Sequence, residues 1–239
     1  MTGTGTRRRL GAAGAITVAG LLLAGCVYLR LIQLKHQLAD FDHNFTVDTS
    51  DGVRITCQHP LLLTGDVRWL GVTPEKIRRI GHAEEWEVRW VKQLPPSVHE
   101  AGAYDIVVRF VFADDKLTRV SIPQRYFALM PKKFLLDLLR SLGGARVNKE
   151  NRSVEAQLAG ARPDLPGIEK LLGRPTAESS KPGQTIRRYR YVPAGSRRLA
   201  RAAVFDLNVT FDDATGKMLR WEGKTPVGNI GFNFEGAGH

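Results

Sequence analysis

The sequence predicts an α+β fold, in which an N-terminal membrane helix or lipoprotein signal precedes two repeated units of antiparallel sheet with short helices packed on one face. Three observations predict it. An uncharged apolar segment follows a cluster of arginines near the start of the chain. Beyond it, runs with an apolar residue at every second position alternate with shorter runs of helical periodicity. The order helix, strand, strand, acidic turn, strand then occurs twice, about 100 residues apart, which indicates an internal duplication.

The composition is typical of a folded protein and favours anionic partners. The chain has 239 residues, of which 43% are hydrophobic, and this is enough apolar material for a folded core. The formal net charge is +11, and the three charges of Arg7, Arg8 and Arg9 belong to the N-terminal segment, which leaves +8 for the rest. A positive surplus of this kind favours anionic partners.

The N-terminal segment predicts export from the cytoplasm. The three arginines at positions 7 to 9 precede residues 10–29, which contain no charged side chain. This length and polarity are typical of a secretory signal or of a helix that spans a membrane. In both cases the arginines stay in the cytoplasm and the rest of the chain lies outside it.

The letters LAGC, which end at Cys26, resemble the lipobox of bacterial lipoproteins. The resemblance implies that residues 1–25 are a signal peptide that is removed, and that Cys26 carries the lipid. In the alternative, residues 10–29 remain as a single membrane span. We favour lipidation and, with it, the outer membrane over the inner one. Residues 26–44 are predicted to be a tether helix, because apolar residues recur there at helical spacing.

Residues 45–162 are predicted to form the first α+β unit. The run EEWEVRWV places Trp86, Val88 and Trp90 on one face of a strand. Adjacent acids at Asp114 and Asp115 predict the turn of a hairpin, where their role is structural rather than catalytic.

Two helices are predicted in this first unit. GVTPEKIRRIG starts at Gly71, with Thr73 as its cap and Pro74 at its first position. PKKFLLDLLRSLGG starts at Pro131, carries one apolar stripe and ends at Gly143.

Residues 163–225 are predicted to form the second unit, because the linker-like run ARPDLPG places a boundary near residue 163. GIEKLLGRPT is a short helix that ends at Gly173, and the alternating runs TIRRYRYV, VFDLNVTF and MLRWEG are strands. The tail, residues 226–239, is predicted to add an edge strand or to be disordered.

Two short motifs in these units resemble a known family, the BamE (SmpA/OmlA) type of bacterial envelope lipoprotein. Gly71, Val72 and Thr73, with Ile77 and Gly81, resemble the helix entry of that family. LLGRPT, which starts at Leu171, resembles its helix exit. The resemblance implies tandem α+β units of the BamE type and a non-catalytic binding or scaffolding role, without naming the partner.

The sequence predicts no enzyme, metal site or cofactor. Its histidines lack metal-ligand spacing, and it has neither a nucleophile elbow nor a phosphate-binding loop. A cleft that gathered two or more of His59, His82, Glu87 and Asp114 would indicate catalysis instead. Cys57 is predicted to be a small buried hydrophobe.

One cluster stands out as a candidate binding site. Residues 187–201 contain six arginines, two interleaved tyrosines and no acid. Guanidinium groups match phosphates and carboxylates, and tyrosines add flat contact area. We therefore predict contact with anionic lipid head groups or with an acidic envelope protein, and no nucleic acid, since the chain is exported. A solvated strand face is the alternative. The predicted site residues are Arg187, Arg188, Arg190, Arg197, Arg198, Arg201, Tyr189 and Tyr191.

Together these features predict a non-catalytic envelope lipoprotein that binds or scaffolds a partner at the extracytoplasmic face of a membrane. The alternative is an extracytoplasmic recognition or inhibitor module, anchored by a single span rather than by lipid. An inhibitor should expose a cluster of aromatic side chains on its sheet, whereas a scaffold should bury them.

Overall fold

A computed structural model describes residues 27–94, 104–128, 131–158, 163–194, 204–225 and 227–234. In this part of the chain, thirteen strands form one sheet that is antiparallel except for one parallel pair, and five short helices accompany it. The predicted α+β class is confirmed. Among these residues, no helix has both the length and the apolar character needed to cross a membrane. The predicted signal peptide, residues 1–25, and Cys26 lie outside the described residues, as does the alternative span at residues 10–29 except for its last three residues.

The helices and strands follow one another closely along the chain. The helices are α1 (residues 27–39), α2 (Phe41–Asn44), α3 (Thr64–Trp69), α4 (Lys132–Gly143) and α5 (Leu165–Leu172), with a short 3-10 helix at Gln124–Ala128. The strands are β1 (Phe45–Asp48), β2 (Val53–Cys57), β3 (Lys76–Ile80), β4 (Ala83–Gln93), β5 (Ile106–Ala113), β6 (Lys116–Ile122), β7 (Arg146–Asn148), β8 (Ser153–Leu158), β9 (Ala177–Lys181), β10 (Gln184–Pro193), β11 (Phe205–Asp212), β12 (Met218–Thr225) and β13 (Gly228–Phe234).

The strand order places two similar motifs side by side. It runs β1-β2-β6-β5-β4-β10-β11-β12-β13-β8-β7, with β3 paired to β4 and β9 paired to β10. The first motif, α3 to β6, and the second motif, α5 to β12, therefore have the same order of one helix and four strands. They meet where the ends of β4 and β10 pair antiparallel, at Val91 and Val192. These two valines hold the same place in their motifs, so an approximate two-fold axis relates the motifs at this pair.

Hydrogen bonds outside the sheet ladders also recur in the two motifs. The N–H of Thr64 at the start of α3 donates to the carbonyl of Asp115, and the N–H of Leu165 at the start of α5 donates to the carbonyl of Gly216, both at 3.1 Å. In each motif the third and fourth strands also shift register at the same place, before Phe112 and before Phe211. Each helix is thus tied to the same hairpin turn of its own motif.

The two motifs bury cores of different size. The first core consists of Leu62, Val67, Trp86, Val88 and Phe112, and Leu31 and Leu34 of α1 pack against it. The second core is larger because α4, β8 and β13 add to it. Its buried residues are Phe134, Leu138, Ala145, Ala156, Leu158, Ile168, Leu172, Tyr189, Tyr191, Leu207, Val209, Phe211, Met218, Phe232 and Phe234.

Two segments pack differently from their predicted placement along the chain. Residues 132–158, which the sequence assigned to the first unit, pack with the core of the second motif. In the tail, β13 is an inner strand between β12 and β8 rather than an edge strand. Chain order alone does not reveal that a segment folds back onto a later motif.

The helix predicted from Gly71 to Gly81 is wrong. Lys76–Ile80 forms β3 instead, because the N–H of Glu75 and the strand that follows pair with β4, and Gly81 (φ +59°) allows a tight turn. The helix of this motif lies earlier, at Thr64–Trp69. Gly71 follows its end with φ +88°, as Gly173 (φ +68°) follows α5. Gly71 is therefore a helix exit, not the predicted helix entry.

Candidate functional site

A half-open cavity of about 390 Å³ lies where the two motifs meet. Its volume is within the range of small-molecule sites in proteins. Both motifs contribute walls. The described residues that line it are Leu70, Gly71, Val72, Trp90, Tyr104, Ile106, Val108, Ile122, Tyr126, Leu171, Leu172, Val204, Phe205, Leu207, Trp221 and Thr225.

The alternation of the strands explains why these walls are apolar. Ile106 and Val108 lie on the face of β5 that also carries the buried Phe112. Trp90 on β4 packs against both cores, so it forms part of the wall between the motifs. Leu70, which directly follows α3, and Leu171 of α5 also line the cavity.

The hydroxyl groups of two lining residues, Tyr126 and Thr225, are engaged in hydrogen bonds inside the protein. The hydroxyl of Tyr126 accepts a hydrogen bond from the N–H of Val107 at 2.6 Å and donates to the carbonyl of Asp105 at 2.8 Å. The hydroxyl of Thr225 donates to the carbonyl of Gly228 at 2.8 Å. Because most of the lining side chains are apolar and these two hydroxyls are already bonded, the cavity suits an apolar group.

A buried acid fixes one wall of the cavity. The side chain of Asp105 is 4% exposed. Its carboxylate accepts hydrogen bonds from the guanidinium of Arg89 at 2.9 and 2.6 Å, and from the main-chain N–H of Lys92 at 3.0 Å. The hydrogen bond from Arg89 to Asp105 raises the pKa of that guanidinium above its ordinary value. These bonds hold the start of β5 against β4, and with it the wall at Ile106.

The described arginines of the predicted site are ion-paired within the chain. Arg187 bonds to Glu169 and, at 2.8 Å, to Glu178. Arg188 and Arg190 both bind Asp206, at 2.5 and 2.9 Å, and remain 44% and 43% exposed. Burial acts to raise the pKa of Asp206, but hydrogen bonds from the two guanidiniums hold it below its ordinary value.

One carboxylate between two guanidiniums leaves a net positive charge at this place on the surface. Anion binding by Arg188 and Arg190 therefore stays a prediction. Arg197, Arg198 and Arg201 lie outside the described residues.

The two tyrosines of the predicted site are core residues, contrary to the prediction that they contact a partner. Tyr189 and Tyr191 have no exposed surface, because alternate residues of β10 face the core of the second motif. Burial raises the pKa of Tyr189 to about 12. Neither ring is available to a partner on the surface.

The residues that would have indicated catalysis do not gather at the cavity. None of its described lining residues is His59, His82, Glu87 or Asp114. Asp114 and Asp115 form the hairpin turn after β5, with φ angles of +47° and +66°, as predicted. Within the described ranges, no group of three or more histidine, cysteine or carboxylate side chains is placed to hold a metal ion.

Cys57 is half-buried at the end of β2, and burial raises the pKa of its thiol. The cavity itself was missed from the sequence. Trp90 in β4 and Trp221 in β12 line it from different motifs, but alternation alone assigned Trp90 to an ordinary strand face.

The geometry of the cavity thus identifies a candidate site for an apolar ligand at the junction of two similar motifs. Comparison of the chain with protein-family models, with curated protein sequences and with solved structures finds no match.

Proposed function

We propose that this chain is a non-catalytic binding protein of the cell envelope, held at the extracytoplasmic face of a membrane, and that it binds a lipid acyl chain in the cavity between its motifs. The apolar cavity at the junction is the single observation that carries this proposal. An acyl chain needs no hydrogen-bond partner, and each buried methylene group favours binding by about 0.8 kcal/mol. The membrane that anchors the chain supplies such ligands at high local concentration.

The anchor is either the lipid on Cys26 or the span at residues 10–29, and we favour the lipid and the outer membrane. We also propose that the two motifs arose by duplication. The equivalent pairing of Val91 with Val192 and the recurring helix-to-turn hydrogen bonds support this. A relation to BamE-type lipoproteins remains a proposal that rests on short motifs, of which the LLGRPT exit at Gly173 does mark the end of a helix.

Exposed side chains favour this proposal over an inhibitor module. In the described part of the sheet, the large apolar residues that are exposed are Ile77, Ile80, Val147 and Ile230, and none is aromatic. Aromatic residues of the central strands are buried in the cores, pack against them or line the cavity. A face of exposed aromatic anchors, which would suit tight binding to an enzyme, is not formed by these strands.

The test fills the cavity from either motif. Val108→Phe in β5 and Leu171→Phe in α5 each add bulk to a wall, and both should weaken binding of a fluorescent fatty acid by about tenfold or more, the equivalent of losing about two buried methylene groups. Val147→Phe is the matched control, because Val147 is 55% exposed on β7 and does not line the cavity. Circular dichroism and thermal unfolding establish that each variant is folded. Equal fatty-acid affinity in all four proteins would refute the cavity as the binding site.

A further inference from the structure

An exposed apolar patch lies at the start of α1. Tyr28, Leu29 and Ile32 are 51%, 56% and 43% exposed, and Trp69 at the end of α3 is 40% exposed beside them. The rings of Tyr28 and Trp69 meet edge to face, with their centroids 5.5 Å apart. We call these four residues the N-terminal patch.

Ion pairing and packing fix the direction in which the N-terminal patch faces. The guanidinium of Arg30 binds the carboxylate of Asp66 in α3 through two hydrogen bonds, at 2.5 and 2.6 Å. On the same side of α1, Leu31 and Leu34 pack against the first core. The opposite side, with Leu29 and Ile32, is consequently held outward and cannot rotate into the protein without breaking the pair.

The preceding sequence indicates what covers this patch. Residues 10–29 are uncharged and apolar, so the segment that enters or anchors in the membrane ends within the patch itself. Leu29 comes three positions after Cys26 and Arg30 comes four positions after it, a reach of at most about 14 Å even in an extended chain. With either anchor, no polar tether separates the membrane from the folded body.

We infer that the N-terminal patch lies in the head-group region of the anchoring membrane, so that the body is held directly against that membrane. The inference rests on the membrane anchoring in the proposed function. Tyrosine and tryptophan side chains favour this interfacial depth, since one end of each is apolar and the other polar. Arg30, which is bound to Asp66, is the first charged residue after this apolar segment, and it attaches α1 to the folded body. A partner must then come to the membrane surface, because the body cannot extend away from it.

The lining of the cavity begins one residue after the patch. Trp69 belongs to the patch, and Leu70 lines the cavity. Contact of the patch with lipid therefore places one wall of the cavity close to the source of acyl chains. This arrangement would shorten the path of a ligand from the bilayer.

The test uses the full chain with its native leader, reconstituted into phosphatidylethanolamine and phosphatidylglycerol vesicles. Two variants, Ile32→Cys and Ile80→Cys, are each made in a Cys57→Ser background, and an environment-sensitive fluorophore is attached to the new cysteine. The isoleucines that they replace are 43% and 70% exposed. A chain with Cys57→Ser alone gives the background from Cys26. We expect the label at position 32 to shift to the blue and to be quenched by lipids brominated near the head group, while the label at position 80 stays aqueous.

Two results would overturn the inference. A label at position 32 that is as accessible to iodide in water as the label at position 80 would exclude contact with lipid. A blue shift that depends on protein concentration, with no quenching by brominated lipid, would assign the patch to a second copy of the chain. Failure of the protein to float with the vesicles at all would instead refute the membrane anchoring in the proposed function, and this separates the two failures.

Discussion

The first helix of each motif has an aspartate that accepts a main-chain hydrogen bond, but from opposite directions along the chain. In the second motif, Asp164 precedes α5 and accepts a hydrogen bond from the N–H of Gly167 at 2.8 Å, an ordinary helix cap. In the first motif, Leu63 holds the place of Asp164, and the acid is Asp66, at the place of Gly167. Asp66 reaches back to the N–H of Leu63 at 2.9 Å and also binds Arg30.

This exchange shows how one scaffold serves two purposes. Asp164 stabilises only its own helix, near the surface. Asp66 is 2% exposed and also attaches α1, the first helix of the described chain. The first motif thus carries the connection to the N-terminus, whereas the second motif is completed by α4, β8 and β13. The following changes test that division.

The largest effect is expected from Arg30→Ala. It leaves the carboxylate of Asp66 buried without its guanidinium partner, which typically costs about 3–5 kcal/mol. Urea unfolding measures the change. The control is Arg54→Ala, since Arg54 and Asp48 form a surface pair in which both side chains are nearly half exposed, and such solvated pairs contribute little to stability. If the two variants lose the same stability, Arg30 does not attach α1.

A smaller effect is expected from Asp164→Ala. The variant removes the cap of α5 but buries no unpaired charge, so the free energy of unfolding should fall by about 1 kcal/mol. The same urea titration measures it. A loss as large as that of Arg30→Ala would show that the two acids have equal roles and would end the contrast between the motifs.

The smallest effect is expected in the pH dependence of stability. Burial acts to raise the pKa of Asp66, but hydrogen bonds from Arg30 and from the N–H of Leu63 hold it below its ordinary value. A carboxylate whose pKa is lowered by folding stabilises the protein above the unfolded-state pKa, about 3.9 for aspartate, and loses that contribution as the pH falls through the folded-state pKa. The difference in stability between the wild type and Asp66→Asn should therefore shrink below about pH 4. A stability difference that stays constant from pH 7 to pH 3 would contradict the lowering of the Asp66 pKa by folding.

Local pattern was sufficient for much of the fold. Alternation placed Trp86 and Val88 on a buried face of β4, and the acids at positions 114 and 115 marked a hairpin. The local pattern failed after Gly71, where Thr73 as a cap and Pro74 at a first helical position predicted a helix. There the pairing of Lys76–Ile80 with β4, a tertiary interaction, outweighed the local preference.

The candidate sites depended on contacts between distant residues. Arg30 and Asp66 are 36 positions apart, and nothing in either segment indicates that they meet. The cavity needs walls from two motifs about 100 residues apart, so no single run could reveal it. The arginine cluster was visible in sequence, yet Asp206, which neutralises part of it, comes from the next strand.

The most direct test of the account is the intact mass of the full chain, expressed with its leader in a Gram-negative host and extracted in mild detergent. Under native conditions the wild type and Val147→Phe should carry one non-covalently bound lipid, which Val108→Phe should lack. The denatured mass then identifies the anchor, because a chain that starts at Cys26 and carries acyl groups is a lipoprotein, whereas one that starts at Met1 without lipid retains its span. Identical native and denatured masses for the wild type would contradict the proposal that the cavity holds an acyl chain.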